Sequence, residues 1–309
     1  MSHIPVMLNE VIEALNPKED EVIIDGTFGA GGYTKAILQN APNSQVIAID
    51  RDVFAYTTAL SMASDFKGRL HPWQGPFSKL MQAANDCGFK QVDGIVLDIG
   101  VSSMQIDQAD RGFSFQKDGP LDMRMDTSSG QSAAEFINTA EEEKIADVVW
   151  RYGEERASRK IAKYIVENRP FKRTLELAKG ITKIAPNYKS KTHAATKTFQ
   201  ALRIFVNDEL GELEAVLGAA EKVLKPEGRL VVVTFHSLED RIVKNFLKDK
   251  SSAKTVSRYQ PLSDEVNAFT FEMPVKSAIK VSKDEAEANL RARSAKLRWA
   301  KRTSVEVAS

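Results

Sequence analysis

Apolar runs and polar breaks alternate along the first hundred residues in a way that predicts strands and helices by turns. Short apolar runs at Val22–Asp25, Val46–Asp50, Arg69–Trp73 and Gly94–Ile99 read as strands, and a fifth lies at Arg229–Phe235. Segments with helical spacing separate the first four. Leu8–Leu15 is a short opening helix, Tyr33–Gln39 follows the first strand, and Phe77–Cys87 precedes the fourth. Continuous apolar strands alternating with helices imply a parallel sheet covered on both faces.

The alternation then breaks. About 130 residues separate Ile99 from Arg229, far more than a strand-to-strand crossover needs, so part of this span is an insertion. Asp107–Gly130 is polar and loop-like. Ser132-Ala-Ala-Glu135 and Thr139-Ala-Glu-Glu142 both carry the spacing of a capping box. Helical spacing returns in Glu154–Asn168, which Asn168-Arg169-Pro170 ends, and in Thr174–Ile184. Ala195–Leu224 reads as one long helix or two, closed by Lys225-Pro226-Glu227-Gly228. Beyond it, two β-like pieces, Ala268–Pro274 and Ala295–Ala300, suit a closing hairpin at one sheet edge.

The first two strands carry the chemistry. Val22–Thr34 reads VIIDGTFGAGGYT, an apolar strand that ends in an acid and breaks into a glycine-rich turn. Gln45–Asp52 is a second apolar strand, and its acid, Asp50, lies 25 residues after Asp25. A strand, a Gly-rich turn, a helix and a further acid make a nucleotide-binding βαβ unit. The ligand is then a dinucleotide or S-adenosylmethionine. From Gly29 the turn runs Gly29-Ala30-Gly31-Gly32-Tyr33-Thr34, with Thr34 where a dinucleotide fingerprint has its third Gly. The methyltransferase pattern D-x-G-x-G-x-G fits better, with Asp25 leading and Thr27 at the first Gly position. A carboxylate beside the turn suits a ligand with a cationic amino-acid end and repels a pyrophosphate. The plainer alternative is a tight βα turn with no ligand.

Composition narrows the field. The single cysteine, Cys87, excludes a disulfide framework and a Cys-rich zinc cluster, and the four histidines are scattered, so no protein metal site is expected. No signal peptide or membrane-spanning run is visible, and the chain is expected to be cytoplasmic with no membrane partner. Net charge is +1, but it is unevenly spread. Lys144–Arg203 holds 15 Lys and Arg against 5 Asp and Glu, and Lys276–Arg302 holds 9 against 3. Such basic stretches in a neutral protein point to a polyanion, or else to a set of solvated helix faces.

In open α/β sheets ligands sit beyond the carboxyl ends of the strands. Those ends are marked here by Asp25–Tyr33, by Asp50, by Gly75-Pro76-Phe77, and by Asp98-Ile99-Gly100-Val101-Ser102-Ser103. The fifth strand runs into Phe235-His236-Ser237-Leu238-Glu239-Asp240-Arg241, where Ser237 is expected to cap a helix whose first turn carries Glu239 and Asp240. No G-x-S-x-G elbow accompanies this His and Ser, which argues against a hydrolase.

At these residues the chain resembles the bacterial RsmH (MraW) family. The shared stretches include His3-Ile-Pro-Val6, Asp25-Gly-Thr-Phe-Gly29, Ala48-Ile-Asp-Arg-Asp52, Gly75-Pro-Phe77 and Leu97-Asp-Ile-Gly-Val-Ser-Ser103. They continue through Arg111-Gly-Phe-Ser-Phe115, Asp118-Gly-Pro-Leu-Asp-Met-Arg-Met-Asp126, Tyr152-Gly-Glu-Glu-Arg156, Thr198-Phe-Gln-Ala201, Phe235-His-Ser-Leu-Glu-Asp-Arg241 and Arg291-Ala-Arg-Ser294. The resemblance implies an α/β fold of class I (Rossmann-like), S-adenosylmethionine-dependent, with an inserted helical domain. Residues 1–112 and 206–309 are then expected to form the methyltransferase domain, and 113–205 the insertion. It further implies methyl transfer to the N4 amine of a cytidine in the decoding centre of 16S ribosomal RNA, within the small ribosomal subunit. Cofactor contacts fall on Gly31, Gly32, Tyr33, Asp50, Phe77, Asp98 and Gln105, and Tyr33 stands where the family usually has His.

A cytosine amine is a weak nucleophile, so the site must align it and accept a hydrogen bond from it. Asp98 is the expected acceptor, at the acid position of a motif similar to D-P-P-Y. Val101 then falls at the aromatic position, which leaves stacking of the base to Phe113 or Phe115, unless both pack the domain junction. Arg169, Lys172, Arg173, Lys189, Lys191, Lys197, Arg291 and Arg293 are candidates to hold RNA phosphates, and His236 to contact the substrate. Rival readings are a methyltransferase acting on another RNA, a protein or a small molecule, a non-catalytic ribosome-assembly factor, and a dehydrogenase.

Overall fold

The computed structural model describes residues 5–186, 192–251 and 269–306. In chain order it begins α1 (Leu8–Leu15), β1 (Val22–Asp25), α2 (Gly32–Asn40), β2 (Gln45–Asp50), α3 (Val53–Ala63), β3 (Leu70–Gln74), α4 (Leu80–Asp86) and β4 (Val92–Asp98). A helical run follows: α5 (Ser103–Asp107), α6 (Ala133–Thr139), α7 (Glu142–Gly153), α8 (Ser158–Glu167), α9 (Thr174–Ile184) and α10 (Thr196–Asn207). The chain closes with α11 (Glu209–Val223), β5 (Leu224–Thr234), α12 (Ser237–Ser251), β6 (Phe271–Glu272), β7 (Ile279–Lys280), α13 (Lys283–Ala288) and β8 (Lys296–Arg302). Two units result: Met1–Gly100 with Gly211–Ser309, and Val101–Leu210.

The first unit is built on a sheet of order β3-β2-β1-β4-β5-β8-β6. The strands from β3 to β5 are parallel, whereas β8 runs antiparallel to β5 and pairs also with β6 and β7. Period-two alternation sends successive side chains to opposite faces. Ile24, Ile47, Ile49, Ile95, Leu97 and Val232 feed one core, which α4, α12 and the Leu213–Ala220 part of α11 cover. Their neighbours Ile23, Val46, Ala48, Val96, Val231 and Val233 feed the other, beneath α1, α2 and α3. Strands buried on both faces explain why the apolar runs are unbroken. The two C-terminal pieces pair antiparallel at one end of the sheet, as expected, through Phe271–Arg302 and Glu272–Lys301. They are not joined by a tight turn, since β7 and α13 lie between them, and β8 sits between β5 and the short edge strand β6 because its own Leu297, Trp299 and Ala300 have core to fill on each side; Ala268 lies outside the described residues.

The second unit packs α6 to α10 around Phe136, Ile145, Val149, Ile161, Ile165, Leu177, Phe199 and Leu202. α8 shows why: Ile161, Ala162 and Ile165 point inward at helical spacing, while Lys160, Lys163 and Glu167 stay exposed. The Ser132/Glu135 capping box forms at the start of α6. The second expected box does not. Thr139 is the last residue of α6, and its hydroxyl turns back to the Glu135 carbonyl at 2.8 Å, so α7 starts from Glu141 instead. The long helical stretch after Ala195 is two helices, broken at Asp208 with a left-handed φ of 47°.

Candidate active site

Strand order reverses at β1 and β4, which lie side by side in the sheet, and the crevice of an open α/β fold opens where this happens. At the end of β1, Asp25 is fully buried. Its carboxylate accepts from Thr34 Oγ1 at 2.7 Å and from Thr27 N–H at 3.3 Å, and also from the Thr34 amide. Gly31, the residue that caps α2, has no side chain to do this, so Asp25 satisfies the first turn from below. The carboxylate expected beside the ligand is therefore an internal brace. Burial raises its pKa to about 6.

The turn itself needs its glycines. Gly31 has φ 78°, and an added Cβ would come within 2.6 Å of Met62 Cε and 2.7 Å of Phe28 Cζ. A Cβ on Gly32 would meet Pro5 Cγ at 2.0 Å. Thr27, at the first glycine position of the methyltransferase pattern, accepts from the Asp98 amide through Oγ1 at 2.6 Å, and so locks the end of β1 to the end of β4. That role was not read from the sequence; a hydroxyl residue where the pattern wants glycine was the available signal.

At the end of β2, Asp50 accepts from Gly29 N–H at 2.8 Å and Asp52 N–H at 2.9 Å. Each oxygen keeps a lone pair, which suits a ribose diol. Burial, joined by the charges of Asp52 and Asp25, lifts it to about 6 against those hydrogen bonds. Gly75 N–H donates to the Asp50 carbonyl at 3.0 Å. Phe77, two residues on, is half-buried in the core beside Gly26.

Asp98 closes the set at the end of β4. Its Oδ1 is shut off from solvent and has no hydrogen-bond partner. Burial, then the charges of Asp25 and Glu239, push its pKa to about 8. Tyr33 is buried in the first turn of α2, and its hydroxyl donates to the Val6 carbonyl. Burial and the charges of Asp98, Asp25 and Glu285 hold this phenol well above its ordinary range.

β5 delivers His236 and Glu239. α12 begins at Ser237, so the cap position falls to His236 and not to Ser237 as expected. The buried Glu239 carboxylate accepts from Phe235 N–H at 2.8 Å and His236 N–H at 3.1 Å, while His236 Nδ1 faces Glu239 N–H at 3.5 Å. The cap is reciprocal, as in a capping box, with imidazole replacing a hydroxyl. Arg291 and Arg293 are exposed around a short turn, Ala292–Ser294.

The first unit thus brings together Gly31, Gly32, Tyr33, Asp50, Phe77 and Asp98. Gln105 belongs to the second unit, where it completes a capping box with Ser102 at the start of α5. Phe115 packs on Phe199 and His193, with ring centroids 4.8 and 4.6 Å away, and fills that unit's core. Phe113 lies under the Arg111 guanidinium, 5.7 Å from its ring centre. Arg169 spends its guanidinium on the carbonyls of Ile137 and Ala140, at the end of α6. Lys197 donates to the Glu154 carbonyl at 2.9 Å beyond α7. Arg173 pairs with Asp118 at 2.5 Å and, with Lys172 and Lys179, lines an open cavity of about 480 Å³. Lys189 and Lys191 lie outside the described residues.

A parallel sheet that reverses at β1 and β4, carries an antiparallel C-terminal strand and gathers a glycine turn with acids at its strand ends defines a Rossmann-like methyltransferase. Residues 1–303 match the model of the MraW methylase family, and the chain belongs to that family. Among its relatives, the ribosomal RNA small subunit methyltransferase H of Azorhizobium caulinodans is 54% identical over 304 residues, covering 97% of this chain and 87% of that protein. Its namesake from Hyphomonas neptunium is 53% identical over 311 residues, covering 99% and 90%. That of Paramagnetospirillum magneticum is 54% identical over 307 residues, covering 98% and 96%. No helix among the described residues is long and apolar enough to cross a membrane.

The residues present fit the cofactor of this class, S-adenosylmethionine. Asp50 keeps a lone pair on each carboxylate oxygen for a ribose diol, Asp98 Oδ1 is buried without a partner, and the crowded carboxyls favour a cationic ligand.

Proposed function

We propose that this protein methylates the N4 amine of a cytidine in the decoding centre of 16S ribosomal RNA, with the small ribosomal subunit as its partner. The observation that carries the reading is the unpartnered Oδ1 of Asp98 at the strand crossover. A buried carboxyl oxygen with nothing to accept is costly, and an exocyclic amine supplies the missing donor. The names of the relatives supply the class of substrate.

S-adenosylmethionine supplies a methyl group on a cationic sulfonium. Gly31, Gly32 and Tyr33 would hold its amino-acid end, Asp50 its ribose and Phe77 its adenine. Burial pushes the pKa of Asp98 up to about 8. Its carboxyl keeps an acceptor oxygen in either protonation state, and positive charge bound beside it would draw the pKa down and favour the carboxylate, the stronger acceptor. Accepting from the amine would align the lone pair as its delocalisation into the ring is lost. The target base must be unstacked to reach this depth. Stacking of the base would fall to Phe113 or Phe115, both half-buried rings that lean on the core of the helical unit. Lys172 and Arg173 would hold phosphates, with Lys179 beside them.

The test is to incubate the protein with methyl-labelled S-adenosylmethionine and small subunits from cells lacking the enzyme, then digest the RNA to nucleosides. Label in N4-methylcytidine is expected. Label in any other nucleoside would overturn the N4 assignment, and unlabelled RNA with intact cofactor binding would overturn the substrate.

A further inference from the structure

We propose, resting on the acceptor role given to Asp98 above, that Phe235 at the carboxyl end of β5 is a wall of the target-base pocket. The base lies against its ring while the amine meets the Asp98 carboxyl. This wall belongs to the sheet unit and is separate from the stacking given to Phe113 or Phe115.

The register of β4 on β5 puts the two residues together. Asp98 is level with Val233. Ile99 N–H donates to the Val233 carbonyl at 2.9 Å, which carries the pairing past the end of β4. Alternation then assigns the faces. Leu97 and Ile99 feed the core under α4 and α12, so Val96, Asp98 and Gly100 belong to the opposite face. On β5, Val232 feeds the first core, and Val231, Val233 and Phe235 lie on the second. Asp98, Gly100 and Phe235 therefore share one face at the carboxyl edge of the sheet, where open α/β folds bind their ligands.

Gly100 keeps the ring uncovered. A Cβ built there would find Phe235 Cδ2 at 3.7 Å and, apart from its chain neighbours, no other atom of the described residues within 4 Å. The glycine has φ 123°, so a side chain there would be strained as well as obstructive. Burial along β5 changes at the same point. Val231 and Val233 are fully buried, whereas Phe235 leans on the same core and is only half-buried. A phenylalanine that only fills this core is enclosed, as Phe28 is. The Phe235 backbone is fixed by its N–H, which donates to the buried Glu239 carboxylate at 2.8 Å. β4 brings no ring of its own, because Ile99 turns into the other core and Val101 is not aromatic. Part-exposed aromatic rings are surfaces on which unstacked bases lie. Phenylalanine has no hydrogen bond to give, so it can hold the plane of the base and leave selection of the amine to Asp98.

Phe235→Leu keeps an apolar side chain on the core, and Phe235→Tyr keeps the ring. Each full-length protein is loaded with S-adenosylhomocysteine, and its affinity for small subunits from cells lacking the enzyme is measured. Methyl transfer to the same subunits then gives kcat and KM. Phe235→Leu should lose about 5- to 150-fold in kcat/KM, the range for one aromatic–base stack. It should also bind the subunits more weakly, with its affinity for S-adenosylhomocysteine unchanged. Phe235→Tyr should stay close to the parent. A ring that served packing alone would give the reverse order, with Leu tolerated and the added hydroxyl harmful. A Leu variant equal to the parent, or a Tyr variant as impaired as Leu, would overturn the proposal. So would loss of S-adenosylhomocysteine binding in the Leu variant, because the ring would then support the cofactor. The affinity measurement involves no turnover. Label in a nucleoside other than N4-methylcytidine would overturn the N4 assignment, while the order of the three affinities would still decide the role of Phe235.

Discussion

Asp25, Asp50 and Asp98 in the sheet unit and Arg169, Lys172 and Arg173 in the helical unit are two sets of three charges put to opposite uses. The acids sit at strand ends with burial and one another as their main surroundings, and all three titrate far above an ordinary carboxyl. The cations sit on or near the surface, where two carbonyls hold Arg169, Asp118 pairs with Arg173 and Lys172 lies exposed. Low dielectric turns a small change of ligand charge into a change of protonation state. Solvent and salt screen the second set, so its contribution is affinity that ionic strength can tune.

The sharpest test of this contrast is Asp98→Asn. Turnover should fall by about 10²–10³, the usual cost of a lost transition-state hydrogen bond, while the cofactor-free fold is retained. Its stability profile has a defined sign. A carboxyl whose folded pKa is raised to about 8 contributes stability that is fully present below its unfolded value and is lost as pH rises through 8. Melting temperature of the parent should therefore decline between about pH 4 and 8, with Asp25 and Asp50 adding loss around 6. Asp98→Asn should flatten the upper part of that decline. A variant that melts along the parent's curve would show that the buried acid is not as isolated as described.

Arg169→Ala should cost about 1–3 kcal/mol of stability in denaturant unfolding, because the carbonyls of Ile137 and Ala140 lose a charged donor. The affinity of the folded fraction for RNA should hold. Gly31→Ala comes next, with about 1–2 kcal/mol of left-handed backbone strain and weaker cofactor binding by calorimetry. The smallest effect belongs to Lys172→Ala. The slope of log K against log salt should shrink by ~0.7, one phosphate on a single strand. A stability loss at Lys172 equal to that at Arg169 would erase the distinction between capping and binding cations.

Much of this was readable from the chain alone. β1, β2 and β4 stand out because both faces are buried and the apolar runs Val22–Ile24, Val46–Ile49 and Ile95–Leu97 lead without a polar break into the terminal acids. Gly31 and Gly32 stand out because the turn cannot close with side chains there. What was hidden depends on partners distant in sequence. Thr139 and Ser132 occupy the same local pattern, and only packing decides that one ends a helix and the other starts one. Arg169 is an arginine in a basic stretch until α6 is placed beside it. The bond from Asp98 to Thr27 spans 71 positions, and no period in the sequence announces it. The boundaries that the resemblance implies, 112/113 and 205/206, lie within a dozen residues of 100/101 and 210/211, where the chain divides into its two compact units.

The place of β8 has a consequence for how the protein is made. A ribosome emits this strand after every other, yet its seat is inside the sheet, against β5 along Arg229–Thr234. A nascent chain that has finished β5 holds Val231, Val232 and Val233 on an open edge until the closing residues arrive, and an unpaired apolar edge invites pairing with other chains. A premature stop before Lys296 would take away the strand that covers β5 and on which β6 and β7 pair. It would release a polypeptide whose parallel strands end in an open apolar edge, a substrate for proteolysis or aggregation.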